Sequence, residues 1–178
     1  MSLRIEVAGR QQRQLMADFQ NQHESLVDYL RRFAIRHSEK DLLTRTYLAI
    51  DEDEEGNPAL AGYFSLAAVS VERTLVTKDS QLDKLPRFPI PGILLARFAV
   101  DSRNQGQGLG RYLFDEVLAL SFGLVKSGPL GIRLLVTDAI DSQAENFYRR
   151  FGLIALADDY PCRMILDLQP LFRSLELG

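Results

Sequence analysis

Cysteine and histidine are almost missing from this sequence. Its 178 residues include one cysteine, Cys162, and two histidines, His23 and His37. A single cysteine excludes a disulfide within the chain, and these three residues are too few for a four-ligand Cys/His zinc site. We therefore expect no metal. Hydrophobic residues make up 46% of the chain, which is enough for a buried core.

Long hydrophobic runs are missing as well. The longest uncharged apolar segment runs from Leu60 to Val71, twelve residues, whereas a transmembrane helix needs about 20. At the N-terminus, Arg4 and Glu6 stand where a secretory signal would begin its apolar region. These features predict a cytoplasmic protein that has no membrane partner.

No linker divides the chain, because proline and glycine are scattered and neither repeats nor low-complexity tracts occur. At about 150 residues per domain, this length predicts one domain over residues 1–178.

Positive charge is not in excess, since the formal net charge is −3. This balance argues against an extended nucleic-acid footprint, although it does not exclude a local basic patch. Of the 21 basic residues 17 are arginines, whose planar guanidinium suits phosphate and carboxylate ligands. Phosphate-bearing ligands are therefore compatible with the composition.

Hydrophobic spacing predicts a chain in which helices and strands alternate, which indicates a mixed α/β fold. The predicted strands are Arg4 to Val7, Arg45 to Ile50, Ala59 to Val71, Ile93 to Val100, Gly131 to Val136, Leu153 to Ala157 and Arg163 to Leu168. The predicted helices are His23 to Phe33, Leu109 to Leu124, and a helix that Ser142 and Glu145 open as a capping box and that runs through Arg150.

A glycine-rich loop, Gln105 to Arg111, joins the strand that ends at Val100 to the following helix. Alternating glycines expose successive backbone N–H groups, and the helix N-terminus adds partial positive charge, so the loop is suited to an anion such as pyrophosphate. The loop does not match a dinucleotide-binding fingerprint, whose third position needs a small residue. That position is Arg111 if the fingerprint starts at Gly106, and Leu113 if it starts at Gly108. The segment has no lysine, which excludes a nucleotide P-loop.

This loop resembles the hallmark of the GNAT superfamily of N-acetyltransferases, Gln/Arg-x-x-Gly-x-Gly/Ala at a strand–helix junction. Gln105, Gly108 and Gly110 occupy its three positions. The resemblance continues upstream in Leu94 to Val100 and downstream in Ala144, Phe147, Tyr148, Gly152 and Leu153, so that spaced motifs cover about 60 residues.

The resemblance implies a mixed, mainly antiparallel sheet flanked by helices, with two strands that splay apart to hold acetyl-CoA. It implies acetyl transfer from acetyl-CoA, the co-substrate, to a primary amine. Tyr148 matches the family tyrosine that protonates the leaving thiolate. The implied cofactor contacts are Phe98, Ala99 and Val100 on the strand, and Gln105, Gly106, Gln107, Gly108, Leu109, Gly110 and Arg111 in the loop. Asp138, Glu145 and His37 are the candidates for a general base, and a water relay is equally compatible.

Within the superfamily, four segments look like the toxin-like branch, namely Thr46 to Leu48, Gly62 to Leu66, Pro91 to Asp101 and Gln105 to Gly110. That branch includes enzymes that acetylate the aminoacyl group of charged tRNA and are inhibited by a ribbon-helix-helix antitoxin. The toxin role is thus the first alternative to a generic amine acetyltransferase, and a non-catalytic acyl-CoA-binding module is the second. Partners under the toxin hypothesis are tRNA and the antitoxin, and a homodimer is left open. Candidate phosphate contacts are Arg31, Arg32, Arg36, Arg149 and Arg150.

Overall fold

A computed structural model describes residues 3–52, 55–76, 81–85 and 88–176 of the chain. These residues form seven strands and six α-helices. The mixed α/β character is as predicted, whereas the helices Arg13–Ala17 and Leu168–Glu176 were not predicted. The strands are β1 (Arg4–Val7), β2 (Arg45–Glu52), β3 (Pro58–Val71), β4 (Ile90–Val100), β5 (Leu134–Ala139), β6 (Ile154–Ala155) and β7 (Cys162–Asp167). The α-helices are α1 (Arg13–Ala17), α2 (Glu24–Asp28), α3 (Ala34–Glu39), α4 (Leu109–Ser127), α5 (Ser142–Arg149) and α6 (Leu168–Glu176).

The sheet has the strand order β1-β2-β3-β4-β5-β7-β6. The pairs β1–β2, β2–β3, β5–β7 and β6–β7 are antiparallel, whereas β4 and β5 are parallel. The expected mixed, mainly antiparallel sheet with flanking helices is therefore confirmed.

The chain divides into two compact units, and the expectation of a single domain over residues 1–178 stays a prediction. The first unit comprises Met1–Ala67 and Ala96–Ala119, and the second comprises Ala68–Leu95 and Leu120–Gly178. The core of the first unit includes Phe19, Leu30, Leu48 and Tyr63.

The core of the second unit lies around β5. It includes Leu134 and Val136 from that strand, Ile165 from β7, and Val76 and Leu82 from the segment between β3 and β4. The segment between β3 and β4 thus contributes apolar side chains to a core. Two 3₁₀ turns, Arg73–Leu75 and Gln81–Lys84, occur in it, and residues 77–80 and 86–87 lie outside the described residues.

The predicted first helix is longer and less regular than expected. The segment Tyr29–Phe33 between α2 and α3 is a π-helix, in which the Ala34 N–H donates to the Tyr29 carbonyl five residues back. The prediction placed Phe33 on the apolar face by α-helical spacing. Because the π turn changes this register, Phe33 is 41% exposed.

Candidate active site

Strands β4 and β5 pair only along part of their length. Their register runs from Gly92 with Leu134 to Leu95 with Thr137. Beyond this point β4 continues to Val100 and β5 to Ala139. The buried Thr137 hydroxyl donates to the Leu95 carbonyl at 3.1 Å, at the last paired position. The pairing of β4 with β5 therefore ends at Leu95 and Thr137.

Tyr148, the predicted proton donor, lies on α5 with only 6% of its surface exposed. Its pKa is raised to about 12 by burial, and a hydrogen bond with the Thr137 side chain opposes the shift. The phenol is therefore protonated at neutral pH. Thr137 connects it to the Leu95 carbonyl, so Tyr148 is fixed where the pairing of β4 with β5 ends.

The N-cap of the helix that carries Tyr148 lies one residue earlier than predicted. Asp141 is the N-cap and accepts a hydrogen bond from the Ala144 backbone N–H at 2.8 Å, whereas Ser142 is already helical. The predicted capping box of Ser142 with Glu145 is therefore wrong. Asp141 is favoured over Ser142 as the N-cap because its carboxylate accepts a hydrogen bond from a backbone N–H that has no partner within the helix. Its negative charge also interacts favourably with the positive end of the helix dipole.

Of the three candidate bases, two are engaged by cations. Asp138 forms a bidentate pair with Arg163, at 2.8 and 2.9 Å. Glu145 accepts from the Tyr160 hydroxyl at 2.5 Å and from Arg149 at 2.8 Å, and these bonds lower the Glu145 pKa. Both carboxylates are held by arginines, and a solvent relay fits the site better.

His37, the third candidate base, lies in the first unit. Its ring makes edge contact with Tyr29 at a centroid distance of 5.7 Å and a tilted contact with Phe33 at 5.5 Å. These contacts belong to an aromatic cluster on the composite helix, which consists of α2, the π-helix Tyr29–Phe33 and α3. Nothing in that cluster singles out the imidazole as a base.

The glycine loop has the backbone that its sequence predicts. Gly106 and Gly108 adopt φ values of +78° and +82°, which side-chain-bearing residues rarely adopt. Residues 105–108 are exposed, and a Cβ atom at either glycine would meet no atom within 4 Å. The helix α4 starts immediately afterwards, and the Tyr112 N–H donates to the Gly108 carbonyl. The loop thus offers open backbone at a helix N-terminus, which fits a pyrophosphate group.

Asp101, which the sequence did not single out, anchors the start of this loop. It is fully buried and accepts hydrogen bonds from the backbone N–H groups of Gln20 and Arg103, both at 2.9 Å. The Arg103 guanidinium donates two more, at 2.7 and 2.8 Å. Burial favours a raised pKa, but these hydrogen bonds and the Arg103 charge lower the pKa of Asp101 below its usual value. The carboxylate is therefore charged and holds the turn after β4.

The side chains of the loop glutamines fold back onto the chain. Gln105 donates to the Val100 carbonyl and Gln107 to the Arg103 carbonyl, each at 3.4 Å. Val100 also accepts from the Asn21 side chain at 2.9 Å. Phe98 packs edge-on against Phe114 of α4, at a centroid distance of 6.2 Å.

The five candidate phosphate-binding arginines fall into two groups. Arg31, Arg32 and Arg36 line one pocket of the first unit. Arg149 and Arg150 lie at the C-terminal end of α5 in the second unit, where both are exposed and Arg149 pairs with Glu145.

Among the described residues, no cluster of His, Cys, Asp and Glu side chains has the geometry to hold a metal ion. No helix in the described part of the chain has the length and apolarity to span a membrane.

Known proteins resemble this chain in both sequence and structure. No protein-family model matches it. A tRNA-acetylating toxin of Mycobacterium tuberculosis (strain ATCC 25618 / H37Rv) is 27% identical over 136 residues, which is 76% of each chain. The crystal structure of a tyrosine-to-phenylalanine variant of KacT superposes with a TM-score of 0.85 at 27% identity, covering 98% of this chain and 99% of KacT.

A third relative, AtaT, shares the fold. In complex with acetyl-methionyl-tRNAfMet it matches with a TM-score of 0.83 at 23% identity, over 99% of this chain and 100% of AtaT. A tyrosine-to-phenylalanine variant of AtaT, bound to the C-terminus of the antitoxin AtaR and to acetyl-CoA, matches with a TM-score of 0.78 at 21% identity over both whole chains. In sequence and in fold, this chain therefore resembles the toxin-like branch of the GNAT superfamily of N-acetyltransferases.

Proposed function

We propose that the protein is an acetyl-CoA-dependent N-acetyltransferase whose acceptor is the α-amino group of the aminoacyl residue on charged tRNA. The observation that carries the proposal is the buried, protonated Tyr148, joined through Thr137 to the end of the β4–β5 pairing. A phenol in this position can act as a proton donor, because acetyl transfer from a thioester produces a basic thiolate that must be protonated. The 27% identity with a tRNA-acetylating toxin supports the choice of acceptor.

The loop from Gln105 to Arg111 binds the pyrophosphate of acetyl-CoA through its exposed backbone N–H groups. Gly106 and Gly108 permit the backbone conformation, and the buried Asp101 holds the turn that precedes them. Backbone groups of Phe98, Ala99 and Val100 bind the pantetheine arm and polarise the thioester carbonyl.

The transfer step requires one proton donor and a neutral amine. The amine nitrogen forms a bond to the thioester carbonyl carbon, and the carbon–sulfur bond breaks. The departing thiolate takes the Tyr148 proton and leaves as the thiol. The surplus proton on the nitrogen passes to solvent, and the phenolate takes a proton back from solvent. Water serves as the relay because Asp138 and Glu145 are tied to arginines.

Charged tRNA also requires phosphate contacts. Arg31, Arg32 and Arg36 on the composite helix, with Arg149 and Arg150 on α5, supply them in this proposal, since arginine binds phosphate with a bidentate fork. As in the AtaT complex with AtaR, an antitoxin is the expected inhibitor. A tRNA substrate also implies activity in the cytoplasm.

The test expresses the wild-type chain, Tyr148→Phe and a matched control, Tyr47→Phe, in a bacterium that has no antitoxin. Tyr47 lies on β2, where its ring stacks on Phe64 at 5.0 Å. We expect growth arrest and acetylated aminoacyl-tRNA with wild type and Tyr47→Phe, and normal growth with Tyr148→Phe. Normal growth without acetylated aminoacyl-tRNA, at a confirmed level of folded wild-type protein, would exclude tRNA as the acceptor.

A further inference from the structure

Six basic side chains converge on one cavity of the first unit, which we call the arginine pocket. Its volume is about 470 Å³. The basic lining residues are Arg10, Arg13, Arg31, Arg32, Arg36 and Lys40. Glu39 is the only acidic residue of the lining, and Ile35 the only apolar one. No residue of the glycine loop contributes to this lining.

The pocket depends on the π-helix between α2 and α3. In a regular α-helix, residues five apart, such as Arg31 and Arg36, point about 140° away from each other. The wider π turn over Tyr29–Phe33 reduces this rotation, so both arginines reach the same cavity. Arg10 and Arg13 come from the 3₁₀ turn Arg10–Gln12 and from α1, which close the pocket from another side.

The positive charge of the pocket is only partly neutralised. Arg10 pairs with Glu39 at 3.4 Å, Arg32 with Asp28 at 3.7 Å, and Arg36 with Asp41 at 2.9 Å. These pairs are exposed and weak, and each leaves further guanidinium N–H groups available.

Among the residues that the structure describes, no acidic side chain pairs with the other basic groups of the pocket. Arg31 donates to the Phe19 carbonyl at 2.9 Å, which leaves its charge uncompensated. Within the described ranges, Arg13 and Lys40 have no acidic partner either. Clustered like charges repel, and an anion in the cavity relieves the repulsion.

We propose that the arginine pocket is a polyphosphate-binding site, separate from the acetyl-CoA loop and completed by Arg10, Arg13 and Lys40. Its ligand is a group of closely spaced phosphates. Resting on the proposed function, the inference assigns these phosphates to the backbone of the tRNA substrate. A concave site with several planar guanidinium forks suits consecutive phosphates better than a single carboxylate. A free polyphosphate shares this chemistry and is the competing source.

The test uses the double variant Arg13→Gln with Lys40→Gln, which removes two exposed charges that the acetyl-transfer step does not use. The matched control is Lys126→Gln with Arg173→Gln, because these exposed residues lie outside the pocket and carry the same total charge. Three quantities are measured for each protein. They are KM for charged tRNA at several salt concentrations, kcat/KM for an aminoacyl-adenosine without phosphates, and calorimetric binding of tripolyphosphate at saturating acetyl-CoA.

We expect the double variant to raise KM for charged tRNA about tenfold and to reduce the slope of log KM against log salt by one to two, roughly one unit per lost phosphate contact. Tripolyphosphate binding should be lost, while kcat/KM for the aminoacyl-adenosine stays unchanged. The control should match wild type in every measurement. Thermal melting checks that both double variants fold.

The alternative outcomes separate this inference from the proposed function. An unchanged KM and salt slope for tRNA, with active wild type, would overturn the inference and leave the acetyltransferase intact. Loss of tripolyphosphate binding with an unchanged KM would assign the pocket to a free polyphosphate and overturn the tRNA assignment. If wild type acetylates no charged tRNA, the proposed function is wrong. Independently of that result, equal tripolyphosphate binding by wild type and the double variant would show that the arginine pocket is not a polyphosphate site.

Discussion

In the proposed function, the glycine loop and the Tyr148 site contribute to the chemistry in opposite ways. The loop is exposed and works through its backbone, at positive φ values that only Gly106 and Gly108 supply readily. Tyr148 is buried and works through one side-chain hydroxyl, whose pKa its surroundings raise. Changes in the loop should therefore act on acetyl-CoA binding, whereas changes around Tyr148 should act on turnover.

The largest expected effect comes from the anchor of the loop. Asp101→Asn should lower the free energy of unfolding by about 2 to 4 kcal/mol, because it discharges a buried carboxylate that accepts four hydrogen bonds. Since the folded pKa is lowered, this stabilisation is present above the ordinary carboxyl pKa and is lost as pH falls through the folded value. Denaturant unfolding at pH 7 and pH 3 measures both effects. The exposed Asp115→Asn on α4 is the control, and equal stability of the two variants would refute the anchoring role.

A second variant separates binding from backbone strain. Gly108→Val should weaken acetyl-CoA binding about 100-fold, equivalent to about 2.7 kcal/mol, because a branched side chain disfavours φ of +82° and projects into the anion site. Gly56→Val is the matched control, since Gly56 has φ of +81° and equally open surroundings at the β2–β3 connection. Isothermal titration that finds undiminished affinity in folded Gly108→Val would show that the loop does not bind the pyrophosphate.

The Tyr148 site should show the converse pattern. Tyr148→Phe should lower kcat at least about tenfold while the Kd for acetyl-CoA stays unchanged, because only the proton donor is removed and the ring still packs. Thiol release and titration measure the two quantities. Unchanged turnover would make Tyr148 a core residue and leave thiolate protonation to water.

A smaller effect should follow from removing the partner of Tyr148. Thr137→Val should lower kcat about threefold, because Tyr148 loses the hydroxyl that orients it and the strand geometry is otherwise kept. Thr137→Ser restores a hydroxyl and should recover most of the activity. If Thr137→Ser and Thr137→Val behave alike, packing and not the hydrogen bond positions Tyr148.

The smallest effect concerns pH. With the Tyr148 pKa at about 12, the phenol stays protonated throughout the working range. We expect kcat/KM to rise until the amine deprotonates near pH 8, and to stay level to pH 10. A hydrolysis-resistant aminoacyl amide is the acceptor for this profile. A decline centred at or below about pH 10 would show that the proton donor lacks the raised pKa of the buried phenol.

Patterns within one segment of the chain predicted much of the fold. Tyr47 and Phe64 lie on two predicted strands, which pair antiparallel over Arg45 to Glu52 of β2. The glycine loop lies directly before its helix, as predicted. Both were predictable because helical periodicity and glycine spacing are properties of neighbouring residues. The α-helix α6 and the π turn escaped prediction. The π turn is a departure of one residue from a helical period that otherwise continues on both sides.

The sequence by itself determined the glycine loop and the helix that carries Tyr148, since each is encoded by neighbouring residues. Only the tertiary structure decided that Asp101 is buried under hydrogen bonds from a segment 81 residues away, and that Thr137 joins Tyr148 to Leu95. Only it brought Arg13 and Lys40 into one cavity. The physical reason is that burial, pKa and local charge density depend on groups brought together from distant parts of the chain, which spacing along the sequence does not record.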